Sequence, residues 1–257
     1  IPEDPVRIIR AIKFAARLDF EIDDDLWDAM VRFAPDIHKC AKARVLEEIY
    51  RLLRGGAATT SFSLLQECGL LEELMPDLDR HLERRREEEK DGDRVFWLYL
   101  NALDSLRSEG EELGNPILLG ALAAHLTGVA LGDDTVHERS PGDLAKDVDR
   151  LTRDWMSRLG VARRDRERLA HMLRSQPRFT KPRGRRFRPR GFVTKHYYSD
   201  AEALFALGVR ATGREVDTLA RWHEVREQIP DGETGVGGDG FEEESGGPGR
   251  SRRGRRR

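Results

Sequence analysis

The chain has 257 residues, of which 36% are charged and 38% hydrophobic, and its mean hydropathy is −0.64. A formal net charge of −2 excludes a global electrostatic argument for nucleic-acid binding, so any basic surface must come from local segregation of charge. No apolar run approaches the ~20 residues of a membrane-spanning helix, so we expect no membrane partner. Cys40 and Cys68 show neither metal-ligand spacing nor a disulfide framework, which indicates a reducing compartment, and we expect a cytoplasmic protein.

The first predicted element is a helix that begins at Pro5, whose fixed φ suits a first helical turn. Glu3 and Asp4 precede it, close to Arg7 one turn on, which predicts a fixed array of hydrogen-bond acceptors and donors. The cations of this helix fall within one sector of about 120°; they are Arg7, Arg10, Lys13 and Arg17. The alternative is a capped surface helix whose bases are solvated.

Residues 3–18, EDPVRIIRAIKFAARL, closely resemble the nucleotide-recognition segment, with its Glu-Asp-x-x-Arg motif, of the class II nucleotidyltransferases. These are the bacterial poly(A) polymerases and the CCA-adding tRNA nucleotidyltransferases. The resemblance implies that Asp4 and Arg7 read the Watson–Crick edge of an incoming nucleotide, with Glu3 as a buttress and Arg10 beside them. Arg is a rigid donor and Asp an acceptor, so such a pair can match the mixed pattern of a base edge.

The resemblance also implies a catalytic head with a Gly-Ser signature and Asp-x-Asp carboxylates that hold two metal ions, expected to be Mg²⁺. Because the sequence starts at Ile1 without methionine and directly at a helix cap, we expect a fragment that lacks this head, has no catalytic residue and is inactive alone. Asp23, Asp24 and Asp25 precede an apolar-periodic segment, so we interpret them as a helix N-terminus and predict no metal site.

Two further helices follow, over about 23–35 and 41–54. In the resembled family an Arg and a Glu of the second segment brace the base-reading helix, which implies this role for Arg44 and Glu48. The alternative is an i,i+4 ion pair between them on a solvated face, worth ~0.3–0.5 kcal/mol.

The sequence predicts an all-α protein, because helical periods recur and strand patterns of useful length are absent. Two short helices with a cap at Gly69 are predicted over 61–76, and the resemblance is specific over roughly the first 80 residues. We therefore divide the chain into neck and body helices (1–80), a charged linker (81–93), a helical body (94–229) and a disordered Arg-rich tail (230–257). The linker shows no apolar period, and a frayed helix is the alternative there. The body contains a nearly all-apolar buried helix near 117–126.

A basic segment spans residues 174–195 and contains nine Lys or Arg and no acid. Its prolines, Pro177 among them, predict an extended or turn-rich chain. Interleaved aromatics, from Phe179 to Tyr197 and Tyr198, suggest single-stranded RNA binding, in which guanidinium groups follow phosphates and rings stack on bases. The RNA-binding candidates are Arg178, Lys181, Arg183, Arg185, Arg186, Phe187, Arg188 and Arg190. The alternative is a linker whose aromatics, such as Phe179, dock onto the core.

The histidines His81, His125, His137 and His171 are scattered without a His-Asp dipeptide, so we interpret them as surface or half-buried imidazoles. The Arg-rich tail is expected to add non-specific RNA affinity and to offer a contact for RNA-processing proteins.

The function predicted from these features is the RNA-binding and base-recognition part of a template-independent poly(A) polymerase. Its intact form would add AMP from ATP to RNA 3′ ends, with RNA and ATP as partners. A CCA-adding tRNA nucleotidyltransferase is the alternative, and a non-catalytic RNA-binding protein or a helical interaction scaffold would belong to another class.

Overall fold

The computed structural model describes residues 3–133, 140–181 and 188–229, and within these ranges every regular element is a helix. The all-α prediction is therefore confirmed. A 3₁₀ helix (Ala34–Lys39) follows the second helix. The α-helices are α1 (Val6–Leu18), α2 (Asp24–Phe33), α3 (Lys42–Leu53), α4 (Ala58–Glu67), α5 (Leu70–Leu74), α6 (Pro76–Glu88), α7 (Arg94–Ser108), α8 (Asn115–Leu126), α9 (Pro141–Arg158), α10 (Arg163–Thr180), α11 (Pro189–Val193), α12 (Tyr198–Thr212) and α13 (Val216–Glu227).

The amphipathic helix α1 packs on α3 and α4 through an isoleucine face. Ile8, Ile9 and Ile12 are fully buried, and burial of such a side chain contributes ~1.5–3 kcal/mol. The helix begins at Val6 and not at Pro5, which is the residue that caps it. The hydrophobic face of α1 thus fixes which of its polar side chains can reach α3.

Two local predictions from turn and cap chemistry are confirmed. Asp23 caps α2, because its carboxylate accepts a hydrogen bond from the Asp25 N–H across 3.1 Å. Gly69 separates α4 from α5 with φ of +75°, a left-handed conformation that favours glycine. Both signals depend only on neighbouring residues, which is why the sequence shows them.

The segment 81–93, predicted as an exposed charged linker with a frayed helix as the alternative, is in part a regular helix with buried residues. Helix α6 continues to Glu88, and it buries Leu78, Leu82 and Arg85 at helical spacing. The sequence did not show this apolar period because its third position is Arg85. The Arg85 Nη2 lies 3.2 Å from the carboxylate of Asp133. Buried residues on both sides of this segment belong to one hydrophobic cluster, so the described part of the chain has a continuous core.

Helix α8 is buried on all sides, as its apolar sequence predicts, and α10 packs on α8, α9 and α12. Helix α10 runs through Pro177 as far as Thr180, so the prediction of a non-helical chain from residue 174 onward is wrong for this part. A proline costs a helix one hydrogen bond. Here the burial of Phe179 beyond it accompanies the continued helix.

Within the part of the chain that the structure describes, no helix combines the length and apolarity needed to cross a bilayer. The predicted disordered tail (230–257) lies outside the described residues, as does His137.

Candidate nucleic-acid interface

The start of α1 places the predicted base-reading residues at the surface. Glu3 and Arg7 are exposed, whereas the side chain of Asp4 is partly buried with 22% of its surface exposed. The Arg7 backbone N–H donates to the Asp4 carbonyl oxygen across 3.0 Å. The Arg7 side chain forms no hydrogen bond or ion pair with any residue in 3–133, 140–181 or 188–229, so its guanidinium is available to a ligand.

Helix α3 supplies the partner of Asp4. The Arg44 Nη2 donates to Asp4 Oδ2 across 2.9 Å. This hydrogen bond is the largest cause that holds the pKa of Asp4 below its usual 3.8, ahead of the positive charge of Arg10. Asp4 is therefore an ionised acceptor at neutral pH.

A second link between α3 and α1 is formed by Glu48, whose side chain is only 3% exposed. It accepts hydrogen bonds from Arg10 Nε across 2.9 Å, from Lys13 Nζ across 3.2 Å and from Arg51 Nη1 across 3.0 Å. Burial alone would raise the pKa of Glu48, but the hydrogen bonds from Arg10 and Lys13 outweigh burial and lower it. A buried carboxylate with three cationic donors is well compensated.

Of the two residues predicted to brace α1, Glu48 contacts the helix itself and Arg44 contacts Asp4 just before it. Arg44 pairs with Asp4 and Glu48 with Arg10 and Lys13, rather than with each other as the alternative had it. The brace role in nucleotide selection stays a prediction.

The cations of α1 therefore divide into two groups. Lys13 and Arg10 are engaged by Glu48, although 42% of the Arg10 side chain remains exposed. Arg7 and Arg17 lie exposed. The array that a nucleotide would meet is consequently the Arg44-bound Asp4 carboxylate and the open Arg7 guanidinium, with Arg10 next to them.

The aromatic residues of the basic segment have a different place from the one predicted. Phe179 is 1% exposed and stacks on Phe205 with ring centroids 4.7 Å apart. Phe192 lies 5.2 Å from the Phe179 ring and 5.4 Å from that of Trp222. The predicted base-stacking role is wrong for these rings and for the buried Tyr197 and Tyr198. The alternative, docking onto the core, is what the structure shows.

Some predicted RNA-contacting cations remain on the surface around this aromatic core. Those in the described ranges are all exposed, namely Arg178, Lys181, Arg188 and Arg190. The Arg178 guanidinium lies over the Phe192 ring at 5.8 Å. The other candidates, Arg183, Arg185, Arg186 and Phe187, lie outside the described residues.

His125 is more buried than predicted, whereas His81 is half-buried, as expected. The rings of His81 and His125 meet edge to face at 4.9 Å, and His125 is only 2% exposed. Burial lowers the pKa of His81 to about 4, so that its ring is neutral at physiological pH. Across the ranges 3–133, 140–181 and 188–229, no group of three or more His, Cys, Asp or Glu is arranged to hold a metal ion.

Sequence reasoning missed a cleft of about 1030 Å³ that lies between α6 and α9. Its cations come from three separate segments, at Lys42, at Arg80 and Arg84, and at 150–158. The available signal was the i,i+4 spacing of Arg80 and Arg84 and the i,i+3 spacing of Arg150 and Arg153, which predicts a basic stripe on each helix. That the two stripes share one cleft follows only from the tertiary structure.

Comparison with known proteins agrees with the family resemblance suggested by the sequence. Residues 19–82 match a family described as "Probable RNA and SrmB- binding site of polymerase A". Poly(A) polymerase I of Salmonella typhi is 28% identical over 198 residues, which cover 69% of this chain and 42% of that protein.

Relatives of the second activity are similar over shorter stretches. The multifunctional CCA protein of Thioalkalivibrio sulfidiphilus is 39% identical over 83 residues, covering 30% of this chain and 20% of the relative. The CC-adding tRNA nucleotidyltransferase of Shouchella clausii is 35% identical over 74 residues, or 29% and 20% of the two chains. The chain spans less than half the length of these relatives. Its residues 19–82 therefore match the polymerase A RNA-binding-site family, and the chain is similar to poly(A) polymerases and CCA-adding nucleotidyltransferases over part of their length.

Proposed function

We propose that this chain is the RNA-binding and base-recognition part of a polynucleotide adenylyltransferase, which adds AMP from ATP to RNA 3′ ends without a template. The observation that carries the proposal is the similarity to poly(A) polymerase I over 198 residues. The match of residues 19–82 to an RNA-binding-site family supports the RNA partner. A cytoplasmic location is part of this proposal, and the free cysteines Cys40 and Cys68 support it because a reducing compartment keeps thiols free.

In this proposal Asp4 and Arg7, at the N-terminal end of α1, recognise the base. The Watson–Crick edge of adenine offers an amino donor beside a ring-nitrogen acceptor, so Asp4 would accept from the amino group and Arg7 would donate to the ring nitrogen. Arg44 keeps the Asp4 carboxylate ionised and oriented. A base with the opposite pattern would leave these groups unpaired, which is the physical basis of selection.

Transfer of the nucleotide would take place elsewhere in the whole protein. We propose that Mg²⁺ ions held by a catalytic head would neutralise the charge of the reacting phosphates. The residues described here hold no group suited to a metal ion, so we assign no catalytic step to them.

A second candidate function is CCA addition to tRNA, which the 39% identity to the Thioalkalivibrio sulfidiphilus protein favours. The two candidate functions are distinguished by an incorporation assay. The whole protein is supplied with an unstructured RNA or with a tRNA lacking its 3′ CCA, and with ATP or CTP. Adenylate added to the unstructured RNA supports the proposal, and ordered CTP and ATP incorporation on tRNA supports the alternative. Binding of RNA without incorporation would mean a non-catalytic RNA-binding protein.

A further inference from the structure

We infer that the cleft between α6 and α9 binds the phosphodiester backbone of RNA. The inference rests on the proposed RNA-binding function and deepens it, because it assigns a second contact surface outside the base-reading array and the basic segment. Helix α9 also lies outside the matched residues 19–82.

Charge is the first argument for a polyanionic ligand. The cleft is lined by six cationic side chains and three carboxylates, a net charge of +3 with His81 neutral. The cations are Lys42, Arg80, Arg84, Arg150, Arg153 and Arg158, and the carboxylates are Asp77, Asp147 and Asp154. Its volume of about 1030 Å³ reaches the upper end of the range for ligand pockets, so it has room for an extended chain.

The pairing inside the cleft separates structural cations from available ones. Asp77 of α6 accepts from Arg80 on the same helix across 3.0 Å and from Arg158 on α9, so one carboxylate links the two walls. Lys42 and Arg153, in contrast, are exposed and form no ion pair or hydrogen bond with any residue of the described ranges. Neither positive charge is therefore paired in a direct contact with the described part of the chain.

Lys42 is held at the rim of the cleft by a close backbone approach. Gly160, which follows α9, has φ of +78°, and a Cβ on it would lie 3.1 Å from the Lys42 Cβ. The contact joins the start of α3 to the end of α9. This contact thereby places Lys42 of α3 in the same cleft as Arg153 of α9.

The lining also indicates which part of RNA is bound. The aromatic residues among the described lining residues are His81 and Trp155, and Trp155 is 1% exposed. Among the described lining residues a base would therefore find no exposed Trp, Tyr or Phe ring on which to stack, whereas phosphates would find cations on both walls. Protein interfaces rely on exposed aromatic and apolar anchors, which this lining lacks, so an acidic protein segment is a poorer match than RNA.

The test compares a double variant with a matched control in the whole 257-residue chain. Binding of a fluorescent single-stranded oligoadenylate is measured by anisotropy between about 50 and 200 mM salt, the range over which phosphate contacts dominate. Lys42→Ala with Arg153→Ala should reduce the magnitude of the salt slope by about 1.4 and the affinity at low salt on the order of ten- to a hundredfold. Lys90→Ala with Arg94→Ala removes one exposed lysine and one exposed arginine outside the cleft lining, and it should leave both values near those of the unaltered chain.

The outcomes distinguish this inference from the proposed function. If the unaltered chain binds RNA with a salt slope but the cleft variant behaves like the control, the cleft inference is overturned and the proposed function stands. If the unaltered chain binds no RNA, the proposed function itself fails. Oligouridylate should bind the cleft as oligoadenylate does. An equal loss of affinity for poly-L-glutamate in the cleft variant would contradict the assignment to RNA and favour an acidic protein partner.

Discussion

The Arg44 guanidinium donates to the Asp4 carboxylate across 2.9 Å, although forty positions separate the two residues in the chain. The same helix, α3, also carries Glu48, which gathers Arg10 and Lys13. Helix α3 therefore contacts this segment at two places, at Asp4 just before α1 and at Arg10 and Lys13 midway along the helix. This arrangement leaves Arg7 as the open cation next to a fixed carboxylate.

Removal of Arg44 should change the titration of Asp4. Because the Arg44 hydrogen bond is the main cause of the lowered pKa, Arg44→Ala should raise the pKa of Asp4 toward 3.8. The measurement is an NMR titration of the Asp4 carboxyl carbon. Arg32→Ala, which removes an exposed arginine of α2, is the control and should leave that titration in place. An identical Asp4 titration in both variants would mean that the contact is not formed in solution.

Glu48 should contribute more to stability than its neighbour Glu47. Glu48→Ala leaves Lys13, whose side chain is only 13% exposed, without its carboxylate partner. We expect the free energy of unfolding at pH 7 to fall by about 1.5–3 kcal/mol, as for hydrogen bonds to charged groups. Glu47→Ala removes an exposed partner of Arg51 alone and should cost under about 0.5 kcal/mol. Urea denaturation measures the unfolding free energy of both variants, and an equal loss in the two would contradict the prediction.

The stabilisation from Glu48 should also depend on pH in one direction. Its folded pKa lies below the ordinary 4.5, so its contribution is present above pH 4.5 and is lost as the pH falls through the folded pKa. The difference in unfolding free energy between the unaltered chain and Glu48→Ala should therefore narrow on acidification. A difference that widens at low pH would contradict this account of the carboxylate.

Arg85 should be important for stability although its neighbour Arg84 is not. The Arg85 side chain is 10% exposed and pairs with Asp133, which is 3% exposed. Arg85→Ala would leave that carboxylate buried beside His125, and we expect a loss of about 3–5 kcal/mol. Arg84→Ala, at a 61% exposed position, should change stability by under about 0.5 kcal/mol. Equal thermal denaturation of the two variants would show that the buried pair is absent.

Phe179 should act through the core and not through RNA. Phe179→Ala should destabilise the fold by about 3–5 kcal/mol, because the ring is fully buried against Phe205 and Trp222. Phe179→Leu keeps most of the apolar volume, so the folded variant should bind oligoadenylate as the unaltered chain does. A folded Phe179→Leu variant with weakened RNA binding would restore the stacking role.

Local signals made much of the fold predictable. The Asp23 cap, the left-handed Gly69 and the all-apolar α8 each follow from residues close together in sequence. The contacts of Arg44 with Asp4 and of Glu48 with α1 were implied only by a resemblance, since i,i+4 spacing equally allows Arg44 and Glu48 to pair with each other.

Tertiary burial explains where sequence reasoning failed. Arg85 occupies a core position that an apolar residue would normally take, which hid the period of α6. Phe179 and Phe192 alternate with cations as RNA-stacking rings do, but Trp222 from α13 covers them. The cleft cations Lys42 and Arg153 are more than a hundred residues apart, so no sequence window contains both.

The measurement that tests the central claim most directly is nucleotide selection by the whole protein carrying Arg7→Ala. Incorporation of each of the four nucleotides into an RNA 3′ end is compared with the affinity for that RNA. If Asp4 and Arg7 read the base, the preference for ATP should weaken while RNA affinity stays near that of the unaltered protein. An equal loss of incorporation for all four nucleotides, with the preference for ATP retained, would contradict the account.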